Sequence, residues 1–409
     1  MFRCLIISTL LRALTASAQE PAAPPTLIQQ KITAAEAAVR KAPKNSEAYN
    51  DLAAALVYRA RETADPKYYR QAEEALGNSF RLAPDNFSGQ KIRVQILMGR
   101  HELVPASELA KALNLRVPDD VPVYGLVADA AIELGDYREA EEAAQWMLNL
   151  RPPSAASLMP AARLRELFGD VEGALEFLNA ALRMTGSRDT LERAQILVQI
   201  ARLSVASGKV EAANKVLHQV LLAAPDYHPA RTELARVRSA QQQHTEAIAL
   251  WRRECEDFPH DARNFHGLAD ALDQAGLHEE AASAYADFER QARGLTASAD
   301  NANRELILFY AGGGQKPEQA LTLARREILS RHDVYTLDAY AWALYANHRY
   351  TEAGEQIEKA LALGIRDSGM LRRAEAIHLA LQKSDARRLT GKSELHWTVL
   401  HPDFRPGEI

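Results

Sequence analysis

Cysteine is nearly absent: the 409 residues contain only Cys4 and Cys255, so paired-cysteine metal sites are excluded and no disulfide framework can be built. Glycine and proline are sparse at 20 and 18 residues, and aromatics make up 7%. These low values exclude collagen-like and low-complexity chains and a core built on large rings. Positive charge is not in excess either. A formal net charge of -5 and a pI near 6.2 argue against nucleic acid as a partner, which would call for a basic balance or stripe. No stretch beyond the N-terminal segment approaches the roughly 20 apolar residues of a membrane span, so no integral span is expected.

Motifs of catalysis are missing as well. There is no HExxH and no Gly-x-Ser-x-Gly. The single glycine run, Gly312 to Gly314, is followed by Lys316-Pro317, whereas a phosphate loop needs a preceding strand and Lys-Ser/Thr. His278-Glu279-Glu280 reads as a solvated turn, and His396 and His401 beside Trp397 read as local packing. The expectation is no catalytic residue, no metal and no cofactor.

What the chain does contain is Ala and period. Hydrophobic residues reach 47% with Ala carrying much of the share, the composition of closely packed helices. Pro84, Pro118 and Pro152 are spaced by 34 residues, and Pro225 and Pro259 repeat the interval. Between them runs an alanine column: Ala72, Ala106, Ala140, Ala174, Ala213, Ala247, Ala281, Ala320 and Ala353. Twelve residues earlier lies a second small column, including Val94, Ala128, Ala162, Ala201, Ala235, Ala269, Leu308 and Ala341, with Ala53 displaced by an insertion. Eight residues after each alanine stands a mostly apolar column containing Phe80, Leu148, Leu221 and Cys255. That position predicts a buried, slow-reacting thiol at Cys255.

Each period therefore holds two amphipathic helices whose small residues meet where the helices cross. Gly135, Gly169, Gly208 and Gly276 fall between the two helices, where a left-handed residue ends a helix, and the prolines open the next period. Insertions are expected near Ser187 to Glu192 and Gly294 to Ala299, and a longer one at RARETADPKYYRQ in the first period.

The 34-residue helix-turn-helix period with small, small and Pro positions resembles the tetratricopeptide repeat family. AYNDLAAAL, GDYREAEEAAQWMLNLRP and AYAWALYANHRYTEAGEQIEKALALG carry the likeness best. The fold implied is all-α, a right-handed α-α superhelix of about nine hairpins with capping helices. The expected division is 1–18 signal peptide, 19–44 linker and N-terminal capping helix, 45–366 solenoid, and 367–409 C-terminal capping helix and tail. The signal reading rests on Arg3, the apolar run from Cys4 to Leu11 and Ala16-Ser17-Ala18, and implies export to the periplasm or beyond.

The resemblance also implies a concave groove lined by the first helices, binding a protein partner without catalysis, in an envelope or secretion assembly. A polysaccharide-guiding module of an export system is the rival reading. The residue after the first small column reads Asp129, Arg163, Arg202, Arg236, Asp270, Phe309 and Trp342 along successive periods. The expected partner site is Arg163, Arg202 and Arg236, thickened by Arg231, with Phe309 and Trp342 as an aromatic shelf; its expected occupant is an acidic segment. An ordinary charged helix face stands as the alternative.

Overall fold

The computed structural model describes residues 25–150, 154–187, 189–297 and 301–383. The proposed signal segment, Pro152 and the tail carrying His396, Trp397 and His401 lie outside the described residues. The described chain is all-α, with twenty helices and no strand, arranged as a right-handed superhelical solenoid.

Capping helix α1 (Leu27–Lys41) precedes nine hairpins. They are α2 (Ser46–Thr63) with α3 (Lys67–Leu82), α4 (Phe87–Gly99) with α5 (Leu103–Arg116), and α6 (Val121–Leu134) with α7 (Tyr137–Leu150). Next come α8 (Ala155–Leu167) with α9 (Val171–Met184), α10 (Thr190–Ala206) with α11 (Val210–Ala223), and α12 (His228–Ala240) with α13 (His244–Asp257). The last three are α14 (Ala262–Gln274) with α15 (His278–Gly294), α16 (Asn303–Ala311) with α17 (Pro317–Glu327), and α18 (Val334–Ala346) with α19 (Tyr350–Leu361). A further helix, α20, runs over 368–383. The long insertion in the first period lengthens both helices of its hairpin, and the two shorter ones fall at α10 and α15, each 17 residues long.

Local chemistry sets the boundaries. After Pro84 and Pro118 a polar residue caps the next first helix: Asn86 accepts from the Gly89 amide and Asp120 from the Val123 amide, both at 3.0 Å. At the other end, every hairpin turns through a left-handed residue. The four glycines Gly135, Gly169, Gly208 and Gly276 do so with φ of 89°, 80°, 74° and 77°. Ala64, His101, Gln242, Gln315 and His348 do the same in the other five hairpins despite their Cβ atoms. The turn beside the glycine run is therefore made at Gln315, outside Gly312 to Gly314.

All nine alanines of the main column are buried, and the earlier small column is buried except at Leu308, which is half-buried. The third column needs correction. Its members are half-buried, and the buried positions lie one residue earlier, at Ser79, Leu113, Met147, Ala181, Val220, Glu254, Phe288, Glu327 and Ala360. Seven residues bring a helix back almost under its starting side chain, whereas eight carry it on toward the flank. Cys255 accordingly stands half-buried on that flank, and burial together with the neighbouring Glu254 charge pushes its thiol up to about 12.

The stacking is not purely nearest-neighbour, as a solenoid read from its period would be. The superhelix completes a turn and touches itself. The turn of the third hairpin meets the loop before the ninth: the His332 amide donates to the Leu134 carbonyl at 2.9 Å, and the Val334 amide donates to the Tyr137 hydroxyl at 2.8 Å, 197 residues apart in the chain. One register away, a Cβ placed on Gly169 would lie 2.2 Å from the Gly364 carbonyl oxygen. In the first hairpin, Asp65 approaches His260 at 3.9 Å. An apolar cluster crosses this seam, since its buried members come from 94–167 and 262–377 and none lies between.

Candidate partner-binding groove

The residue after the small column stands on the first helices, Arg163 on α8, Arg202 on α10 and Arg236 on α12. Each of these three expected arginines already holds a carboxylate. Arg163 pairs with Glu133 of the preceding hairpin. Arg202 grips Glu166 with both terminal nitrogens, at 2.5 and 2.6 Å, the bidentate geometry that a guanidinium favours. Arg236 pairs with Glu233 of its own helix and lies 5.9 Å over the Trp251 ring. The expected stripe of cations is thus a ladder of ion pairs.

The seam adds to this. Tyr335, at the start of α18 in the second turn, is electrostatically coupled to Arg163 and Arg202 of the first turn. Burial pushes its phenol up to about 12, with the Glu166 charge contributing. Glu133 faces three arginines: besides Arg163 it reaches Arg304 at 3.4 Å and Arg331 at 4.0 Å. Burial alone would raise its pKa, but the charges of Arg163 and Arg304, the Arg163 hydrogen bond and the Arg331 charge hold it at about 2.

Arg231 does not belong to the groove. It precedes Ala235 by four residues, so it shares the face that meets the second helix. Its side chain is 5% exposed, with Nε on Glu254 and Nη2 on Asp257 at 2.8 Å, and its guanidinium lies 5.8 Å over Phe258. Glu254, fully buried, also holds His228. This ionic core occupies a position that six other hairpins fill with Leu, Met, Ala, Val or Phe.

The aromatic pair is also placed differently from an open shelf. Phe309 stacks on Tyr285 at 5.1 Å and meets Phe288 edge-on at 5.5 Å. Trp342 stacks on Tyr345 at 4.6 Å with their planes 7° apart. The rings spend much of their surface on protein.

Open space lies farther along. A cavity of about 510 Å³ is lined by Arg236 of α12, His266 and Asp270 of α14, Trp251 of α13 and Glu305 of α16. Asp270 orients His266 through Nδ1 at 3.2 Å and accepts from the Tyr285 hydroxyl at 2.7 Å. Burial would lower the His266 pKa, but the Asp270 hydrogen bond and charge raise it. Arg236, 55% exposed, is the expected site residue that faces this opening.

Sequence reasoning missed Glu133 and Glu166, which stand four residues after Asp129 and three after Arg163 on the same helix faces. That spacing was the available signal. Among the described residues no cluster of three or more His, Cys, Asp or Glu has metal-holding geometry, and no helix is long and apolar enough to cross a membrane.

Solved structures with this arrangement are repeat proteins. The Cut9–Hcn1 hetero-tetramer of the APC/C superimposes with a TM-score of 0.52 at 14% identity, covering 87% of this chain and 60% of that one. The fold is a tetratricopeptide-repeat solenoid. Human IFIT1 in its dimer with PPP-AAAA gives a TM-score of 0.49 at 14% identity, covering 82% of this chain and 95% of that one. A tetratricopeptide repeat protein from Parabacteroides merdae gives 0.38 at 14% identity, covering 71% and 98%. No protein-family model and no curated protein matches the sequence. The solenoid spans 60% of the Cut9–Hcn1 chain it matches, and the likeness is one of fold.

Proposed function

We propose that this solenoid is a non-catalytic scaffold that binds a protein partner along its inner face, exported and serving an envelope or secretion assembly. The observation that carries the reading is the cavity at α12, α14 and α16, where Arg236 stands more than half exposed inside a concave wall. The Cut9–Hcn1 hetero-tetramer offers a precedent for this fold inside a protein complex. An acidic segment would enter at Arg236, which is 55% exposed although it pairs with Glu233 of its own helix, whereas Arg163 and Arg202, 42% and 38% exposed, are tied to carboxylates of the preceding hairpin.

The polymer-guiding alternative asks for open ring faces on which sugars stack. Trp342 and Tyr345 turn their faces to each other, which favours the protein reading. The export part rests on Arg3, the apolar run after it and Ala16-Ser17-Ala18. Edman sequencing of the protein from its native cell should begin at Gln19; intact protein starting at Met1 in the cytoplasm contradicts export.

The binding test compares Arg236→Ala with the Arg163→Ala/Arg202→Ala pair in capture from a native envelope extract at low and moderate salt. Arg236→Ala should weaken capture and flatten its salt dependence more than the pair does. Unchanged capture in the triple variant, with helicity intact, makes these arginines an ordinary helix face.

A further inference from the structure

We propose that the seam between the two superhelical turns is a latch centred on Glu133, which holds the coil closed and opens when that carboxylate loses its ion pairs. Arginines from three separate elements converge on it: Arg163 from α8, Arg304 from α16 and Arg331 from the loop before α18. The last two belong to the second turn and also share Asp333, at 3.4 and 3.9 Å. Beside Glu133, the Leu134 carbonyl accepts the His332 amide. Backbone and side-chain contacts between the turns therefore meet at one corner of the third hairpin, beside the Gly169–Gly364 approach and the apolar cluster that crosses the seam.

The architecture makes this corner separable from the rest. Each hairpin keeps its own alanine-lined interior whether or not the turns touch. The intervening helices α9 to α13 contribute no buried member to the apolar cluster that crosses the seam; α9 to α12 pack in a separate cluster that also takes in Ile28 of α1, so an opening coil bends by small rotations between hairpins while that cluster stays whole. Glu133 and Arg304 each keep 24% of their surface exposed, so salt reaches the pairs and screens them. Closure sets Arg304 and Arg331 of the second turn against Glu133, the partner of Arg163, and opening frees that side of the first helices. That consequence, though not the latch itself, rests on the groove being the binding surface.

Two glycines decide how closely the turns can approach. A Cβ on Gly135 would stand 2.6 Å from the His332 carbonyl carbon and oxygen, and one on Gly169 would stand 2.2 Å from the Gly364 oxygen. Gly208 and Gly276 have the same left-handed backbone with nothing within 4 Å, which makes them controls for the backbone cost alone.

The test uses spin labels on the full chain at Arg138→Cys and Ser330→Cys, both exposed and flanking the corner, with Cys4→Ser and Cys255→Ser as background. Pulsed dipolar spectroscopy should give a short distance for the otherwise unmodified chain. Glu133→Gln should move the main population to longer distance, as should Gly135→Ala with Gly169→Ala; Gly208→Ala with Gly276→Ala should not. Raising salt from about 0.1 M to about 1 M, which shortens the screening length from about 10 Å to about 3 Å, should lengthen the distance in the parent chain. Circular dichroism checks that helicity is kept, and if Glu133→Gln unfolds, the salt series on the parent chain decides. An unmoved distance in Glu133→Gln at both salts overturns the latch, even if the glycine pair opens the seam by steric clash.

Discussion

Gly135 and Gly169 look in the sequence like Gly208 and Gly276: each ends the first helix of its hairpin, and each adopts a positive φ between 74° and 89°. Their surroundings separate them. The first two lie where a loop from the next superhelical turn presses in, and the second two face open space. One local signal thus covers two requirements, a left-handed backbone and a close approach. Only the first can be read from the hairpin that contains the residue.

Breaking the comparison starts with the largest effect. Glu254→Ala removes the buried partner of Arg231 and His228, and stranding a buried charge costs about 3–5 kcal/mol. Chemical denaturation should show a loss on that scale, and a loss of a few tenths would mean water reaches Arg231 freely. Next, Gly135→Ala should destabilise more than Gly208→Ala. The control bears only the left-handed penalty, about 1–2 kcal/mol, while Gly135→Ala also forces His332 away. Equal shifts in the two denaturation midpoints would falsify the close approach.

Ala140→Leu overpacks a helix crossing beside the seam at a cost of about 1–3 kcal/mol. In a purely nearest-neighbour solenoid the damage would stay within adjacent hairpins. Here it should reach α18, seen as faster amide exchange over 334–346. Ala247→Leu, in a hairpin whose alanine column belongs to a separate apolar cluster, should leave α18 unchanged.

The smallest effect sharpens the picture at the first hairpin, where Glu62 is coupled to His228. Burial would lower the His228 pKa, but Asp261 and Glu254 raise it above the ordinary 6.5. A raised folded pKa adds stability that is fully present below the unfolded value and fades as pH rises through the folded one. Stability should therefore fall modestly on the alkaline side of 6.5, and His228→Gln should flatten that slope. A slope that survives the substitution assigns it to another group.

The fold was legible because period and burial coincide: the alanine column marks the crossings, and the prolines and glycines mark the helix ends. The third column failed by one residue since its half-buried members are mostly apolar, while the buried register contains Ser79, Glu254 and Glu327. Polar residues at buried positions disguise the phase. Arg163, Arg202 and Arg236 stand on first helices, where the period put them, yet Arg231 is buried against Glu254 because its face follows from its distance to Ala235. Nothing local announced the seam, whose partners stand some two hundred residues apart, 197 between Tyr137 and Val334.

The closed coil is tested most directly at two amides. Val334 opens α18 and His332 precedes it, so neither has a partner within its own hairpin; their acceptors are the Tyr137 hydroxyl and the Leu134 carbonyl of the first turn. Residue-resolved hydrogen exchange on the unmodified protein should find both amides protected, and Tyr137→Phe should release Val334 selectively. Exchange of both at the rate of exposed turn amides would contradict the account, leaving a solenoid whose turns do not touch in solution.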